Sequence, residues 1–227
     1  MVKGKLSVQE KRDIARKQIM EVSLELFLTK GFEATTTRDI IAKAGILNGS
    51  LYNRFKNKDE ILISIIRDAI FDILNESESI FKKDNNLLAA VAFPGIFELY
   101  VASRSQSIAR LIYLVHSKWE AVDLFIEIFN DWFRKFVPEN GMGGMDREKI
   151  DMMLAYHIGS LGTVVGYYAN GGTCPYEITA KHHLQITATA LGMPVMDAEA
   201  ILDSLKSILE SGDLVFLGRR LGVGLQD

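Results

Sequence analysis

Between positions 36 and 58 the chain gathers Thr36, Thr37, Arg38, Asn48, Gly49, Ser50, Tyr52, Asn53, Lys56 and Lys58. Hydroxyls, amides and cations dominate this set. Such groups suit recognition by hydrogen bonding rather than bond-making. Cations and phenols hold phosphate; amides, hydroxyls and guanidinium groups read base edges in a major groove. No Gly-x-Ser-x-Gly, His-Glu-x-x-His or other catalytic arrangement occurs anywhere in the sequence, which argues against an enzyme.

The elements that must position this set are legible. Thr36 precedes Asp39 by three residues, the spacing that caps a helix start reciprocally. Ile40, Ile41 and Ala44 give that helix a short inward face, and Gly45 can end it in the left-handed conformation. Only Gly45, Ile46 and Leu47 separate it from a second helix, in which Leu51 and Phe55 face inward at i and i+4. A three- or four-residue turn containing glycine is what a helix-turn-helix requires. Asn57 and Glu60 form another capping pair, opening a long helix with Lys58 near its N-terminus, where phosphate binds readily. Ahead of the pair, a helix from about Val8 to Lys30 carries an apolar stripe of Ile14, Ile19, Val22, Leu26 and Phe27, stopped by Gly31.

This stretch resembles the N-terminal domain of the TetR family, the tetracycline-repressor-like regulators. The resemblance rests on Gly31-Phe32, Thr36 to Ile40, Ala44-Gly45, Gly49, Leu51-Tyr52, Phe55 and Lys58 to Leu62, within roughly residues 8–65. It implies contacts to phosphates or bases from Thr36, Thr37, Arg38, Tyr52, Asn53 and Lys58. We assign backbone contacts to Tyr52, Lys56 and Lys58, and base reading to Arg38, Asn48, Ser50 and Asn53. The chain departs from the family at Leu47, where Ser or Thr usually opens the recognition helix. Asn48 therefore has two candidate roles, capping that helix and reading a base. The alternative for the whole segment is a structural three-helix unit without nucleic acid.

Charge divides the same way. Residues 1–60 carry net +4 and the remainder net −7, giving −3 overall. A basic head on an acidic body fits a DNA-binding domain over 1–60 and a separate helical domain over 61–227. Lys3, Lys5, Lys11, Arg12, Arg16 and Lys17 are either an arm along the DNA backbone or a solvated face.

The body is long enough for its own core and holds few strand signals. Helices are expected at Lys58–Phe81, Asn86–Ala102, Ser105–Ser117, Trp119–Phe136, Asp146–Ala169, Pro175–Leu191 and Asp197–Ser211, so the fold class is all-α. Pro94 should kink or break its helix. The loop Pro138–Met145 lacks a preceding strand and a Gly-Lys-Ser/Thr ending, so it is no phosphate loop. Met152–Gly171 is long and free of Asp, Glu, Lys and Arg, yet too polar and poorly anchored for a membrane span.

In that segment Ala155, Gly159, Gly162 and Gly166 share one helical face. The resemblance implies that C-terminal helices of two subunits form a four-helix dimer interface, and we assign the small-residue face to it. A pocket wall and packing within the chain are the alternatives. A homodimer places two recognition helices about one DNA turn apart, on a palindromic operator. Tyr113, His116, Trp119, Tyr156 and His157 are the candidate ligand contacts, from an aromatic set with scattered polar tips. Few cations accompany them, which points to a small, largely apolar effector. No cofactor or metal is expected: Cys174 is the single cysteine, and the four histidines are scattered, with His182 and His183 pointing apart. The first 30 residues do not read as a signal peptide, which points to the cytoplasm.

The expected function is a ligand-responsive, homodimeric DNA-binding regulator, most often a repressor among relatives of this kind. Two other classes compete: a DNA-binding adapter whose partner docks on the acidic body, and a helical small-molecule-binding protein or enzyme with a vestigial head.

Overall fold

The computed structural model describes residues 7–139, 146–195, 197–211, 215–216 and 219–220. The expectations for Lys3, Lys5 and residues 140–145 of the Pro138–Met145 loop lie outside the described residues. The chain forms two compact units, Met1–Asp68 and Ala69–Asp227.

The first unit contains α1 (Val8–Thr29), α2 (Thr37–Ala44), α3 (Asn48–Tyr52) and the start of α4 (Lys58–Asp84). Ser7 and Glu10 cap α1 reciprocally, and Thr36 and Asp39 do the same for α2. Gly45 ends α2 at φ 63°, the left-handed conformation that glycine adopts without a Cβ penalty. Gln18 of α1 donates to the Ala44 carbonyl at 3.0 Å, satisfying a helix end that would otherwise lack a partner. Ile19, Phe27, Ile40, Leu51, Phe55 and Ile61 form the core of this unit. Phe27 meets Phe32 edge-on, with centroids 4.9 Å apart. The α1 stripe is rotated from the expected one: Ile14 is 54% exposed, while Met20 and Ser23 are buried. Ser23 tolerates burial because its hydroxyl donates to the Ile19 carbonyl at 2.7 Å.

The second unit holds the rest of α4, α5 (Leu87–Arg104), α6 (Gln106–His116), α7 (Trp119–Glu139), α8 (Arg147–Ala169), α9 (Tyr176–Leu191) and α10 (Ala198–Glu210). Among the described residues the only strands are Val215–Phe216 and Arg219–Arg220, which pair antiparallel. The fold is all-α apart from that short pair.

At the centre stands α5, packed by α6, α8, α9 and α10. Its sequence explains the position: Glu98 and Arg104 are its only charged residues, and most of its surface is buried. It is also the one described helix long and apolar enough to cross a membrane, and 72% of it lies buried in this unit. Of the kink or break expected at Pro94, the structure excludes the break: α5 continues through residue 104. Packing on several sides holds the turn that loses one backbone donor.

The small-residue face of α8 packs in part within the chain, one of the alternatives left open for it. A Cβ at Gly162 would lie 2.9 Å from His116 Cβ, and one at Gly166 would lie 2.7 Å from the Tyr113 ring. Both glycines admit α6 against α8 within one chain. Gly159, by contrast, is open and meets nothing within 4 Å. Ala155 is half-buried. All four small residues also line an open groove beside α6, α7 and α8, the pocket-wall alternative.

Candidate nucleic-acid interface and ligand cavity

In the first unit, α3 hangs on one buried side chain. Leu51 is fully buried, and Phe55 just beyond it is 2% exposed. The helix has five residues, so Asn48, Gly49, Tyr52 and Asn53 fall outward and are exposed. Leu47 occupies the N-cap position with φ −82° and ψ 151° and provides no side-chain cap. Asn48 lies inside the helix rather than at its cap. The capping role weighed for it is thereby excluded, and its amide is free of that task. Leu47 itself stands 82% exposed beside it.

The remaining candidates divide by their internal partners. Arg38 and Lys56 are exposed. Thr37 Oγ1 and the Tyr52 hydroxyl lie 3.2 Å apart, linking the first turn of α2 to α3. Thr36 is the α2 cap, and its hydroxyl is also 2.8 Å from an Asp39 oxygen. The Lys30 ammonium, 2.7 Å away, and then the Thr36 backbone N–H and hydroxyl hold the Asp39 carboxyl well below the usual carboxylate range. Ser50 is half-buried; its carbonyl and hydroxyl accept from Arg54 at 2.6 and 3.1 Å.

Lys58 has an internal task that the sequence did not reveal. Its ammonium donates to the carbonyls of Phe32, Glu33 and Thr35 at 2.8, 3.3 and 3.4 Å, and lies 4.3 Å from the Phe32 ring centroid. It ties the α1–α2 loop to the start of α4. Direct phosphate contact by Lys58 therefore competes with a structural role.

In the second unit two concavities matter. One is an open groove of about 880 Å³ beside α6, α7 and α8. Tyr113 and Trp119 line it, 46% and 70% exposed. The other is a smaller, more enclosed cavity of about 100 Å³ bounded by α4 to α9. Volume favours the groove, but ligand sites bury most of a ligand's surface among apolar groups. Enclosure by Ile73, Val91, Phe129, Trp132, Phe133 and Leu161 favours the cavity.

His116 belongs to both, and His157 lines the cavity. Tyr156 lies in neither: it is 80% exposed, because the buried stripe of α8 runs through Leu154, Ile158 and Leu161. Glu98, His183 and Thr187 also line the cavity and were missed. Three of the four histidines, held to be scattered, thus share one wall.

Their electrostatics differ. His116 Nε2 lies 2.6 Å from Glu98 Oε1. Burial disfavours its charge, but the Glu98 carboxylate, its hydrogen bond and the Ile158 carbonyl together raise the imidazole pKa above its ordinary value. His183 is the opposite case. Burial, and secondarily the nearby His157 ring, push its pKa down to about 3, so it stays neutral.

Residues 19–65 match the family described as bacterial regulatory proteins, tetR family. The HTH-type transcriptional repressor KstR2 of Rhodococcus jostii is 28% identical over 187 residues, covering 79% of this chain and 92% of that protein. A TetR-family transcriptional regulator structure from Syntrophomonas wolfei superposes with TM-score 0.60 at 18% identity, covering 81% of this chain and 98% of that one. The regulator FadR of Bacillus subtilis, in complex with stearoyl-CoA, gives TM-score 0.54 at 17% identity, covering 76% and 97%. With its capped α2, glycine turn and short outward-facing α3, the chain is a DNA-binding transcriptional regulator whose residues 19–65 match the tetR-family DNA-binding domain.

Proposed function

We propose that the protein is a homodimeric repressor that binds a palindromic operator and is released by a small, largely apolar effector held in the enclosed cavity of the second unit. The outward set on α3, anchored by Leu51, carries the DNA half of this reading. Arg38, Asn48, Ser50 and Asn53 are the base-reading residues; Thr36, Thr37, Tyr52 and Lys56 set position on phosphates.

The cavity supports the effector half. At about 100 Å³ it is well below the few hundred Å³ that drug-sized ligands occupy. A larger ligand fits only a widened body and so stabilises that state over the closed one. This difference in affinity is what linkage requires. Ile70 and Ile73 of α4 line the cavity, and α4 begins with Lys58 inside the DNA-binding unit. A ligand wedged against them acts on a helix whose first turns belong to the DNA-binding unit. Because the FadR relative is seen in complex with stearoyl-CoA, an acyl-CoA, with only its apolar acyl end in the cavity, is the first effector to try.

Dimerisation through α8 and α9 is supported by exposed apolar side chains on both: Met152, Tyr156 and Tyr167, then Ile178 and Ile186. Tyr156→Asp should shift sedimentation from dimer to monomer.

The test is a mobility-shift titration against the DNA upstream of the protein's own gene, at several salt concentrations. A shifted band with a steep salt slope is expected, weakened by stearoyl-CoA. Absence of sequence-selective binding would sink the repressor reading. A band indifferent to stearoyl-CoA would remove an unsubstituted long-chain acyl-CoA as the effector.

A further inference from the structure

We propose that the effector carries a hydroxyl group on its buried, apolar part, and that His157 Nε2 is the atom that reads it. This rests on the enclosed cavity being the effector site.

The tautomer of His157 follows from one contact. Its Nδ1 lies 2.9 Å from the Met153 carbonyl. A carbonyl only accepts, so Nδ1 carries a proton, and in the neutral form of the ring Nε2 then presents a lone pair. That Nε2 is buried and has no hydrogen-bond partner among the described residues. The same residue lines the cavity. A buried acceptor facing apolar surroundings is unfavourable until a donor arrives.

The neighbouring groups do not supply that donor. His183 stands edge-on to His157, with centroids 5.8 Å apart and planes at 86°. Its Nε2 is instead 3.5 Å from Thr187 Oγ1. That hydroxyl already donates to the His183 carbonyl at 2.9 Å, so it can only accept from the ring. His183 is neutral and brings no charge.

Charge and polarity then select the ligand group. Glu98 lines the same cavity, so a carboxylate or phosphate there would meet a like charge. A ketone or ester oxygen is an acceptor, as Nε2 is, and the two repel. An amide N–H would bring an unpaired carbonyl into the cavity. A hydroxyl satisfies Nε2 and adds little else to desolvate. The apolar remainder of the wall, including Ile73, Phe129, Phe133 and Leu161, requires that the rest of the buried ligand be hydrocarbon.

The test uses the full-length protein and three small ring probes: cyclohexanol, methylcyclohexane and cyclohexanone. Their affinities are measured by NMR titration for the wild type and His157→Leu. The substitution should weaken cyclohexanol about tenfold, the worth of one such hydrogen bond, and leave methylcyclohexane unweakened. Cyclohexanone should follow methylcyclohexane. Retained methylcyclohexane binding also reports that the variant is folded. In the wild type, 15N spectra should show His157 protonated at Nδ1, with the Nε2 resonance moving on addition of cyclohexanol. Equal effects of the substitution on cyclohexanol and methylcyclohexane would overturn the hydroxyl assignment and leave the cavity reading intact. A wild-type ring protonated at Nε2 would overturn the assignment with no variant needed. Failure of all three probes to bind the wild type would overturn the cavity reading, and this assignment with it.

Discussion

His183 Nε2 lies where a side chain on Gly95 would begin: a Cβ at that position would sit only 2.1 Å away. The histidine ring lies on bare α5 backbone, and α9 reaches α5 through that gap. Gly95→Ala should therefore destabilise the protein by roughly 1–3 kcal/mol, the usual effect of overpacking a filled core. Denaturant midpoints provide the measure. Adding His183→Ala should recover part of the loss, since the two changes share one clash.

The same histidine makes stability depend on pH. Its folded pKa of about 3 lies below its unfolded value near 6.5, so it is neutral when folded and readily protonated when unfolded. Its contribution is fully present above pH 6.5 and is lost as pH falls toward 3. At pH 5 the loss should be roughly 2 kcal/mol. His116 acts with the opposite sign: its raised pKa favours the fold below pH 6.5 and ceases to help as pH rises through the folded value. Unfolding free energies at pH 7 and pH 5 should show His183→Gln losing less on acidification than the wild type. An unchanged difference would show that other groups set the acid response.

Leu47 offers a gain rather than a loss. Its backbone already has the extended N-cap conformation, but its side chain cannot accept a hydrogen bond. Leu47→Ser should stabilise the first unit by about 1 kcal/mol, the worth of a capping hydroxyl. Thermal melting would register this as a higher midpoint. A lower midpoint would mean that Leu47 is held by contacts its 82% exposure does not suggest.

Lys56 and Lys58 should separate under alanine substitution. Lys58 bonds three carbonyls, so Lys58→Ala should cost about 1.5–3 kcal/mol of fold stability. Lys56→Ala should leave stability unchanged and reduce the salt slope of DNA binding by about one phosphate. Paired melts and salt titrations of the two variants decide this. Equal stability of both would argue against the strut.

These contrasts mark where the sequence was readable. The caps of α2, the Gly45 turn and the buried pair Leu51 and Phe55 followed from local spacing, because caps and periodicity are local physics. Helix bounds in the second unit were legible to within a few residues for the same reason. Lys58 was not: its partners lie more than 20 positions earlier, and no local rule reports a carbonyl brought near by folding. Gly162 and Gly166 were recognised as a face that wants a close neighbour. Which neighbour depended on Tyr113 and His116 of α6, a tertiary fact. The cavity's polar wall was missed in part through one overlooked signal. Glu98 sits amid the long apolar run of α5, and an acid there needs a buried partner.

A recognition helix of five residues, fixed by one buried leucine, also separates holding from reading. Leu51 and Phe55 serve the fold, Tyr52 ties α3 to α2 through Thr37, and Asn48, Gly49 and Asn53 face outward. On the proposed reading, exchanging Asn48 or Asn53 should alter what is read with little penalty to the scaffold. The head can thus be retargeted one letter at a time, each intermediate still folded.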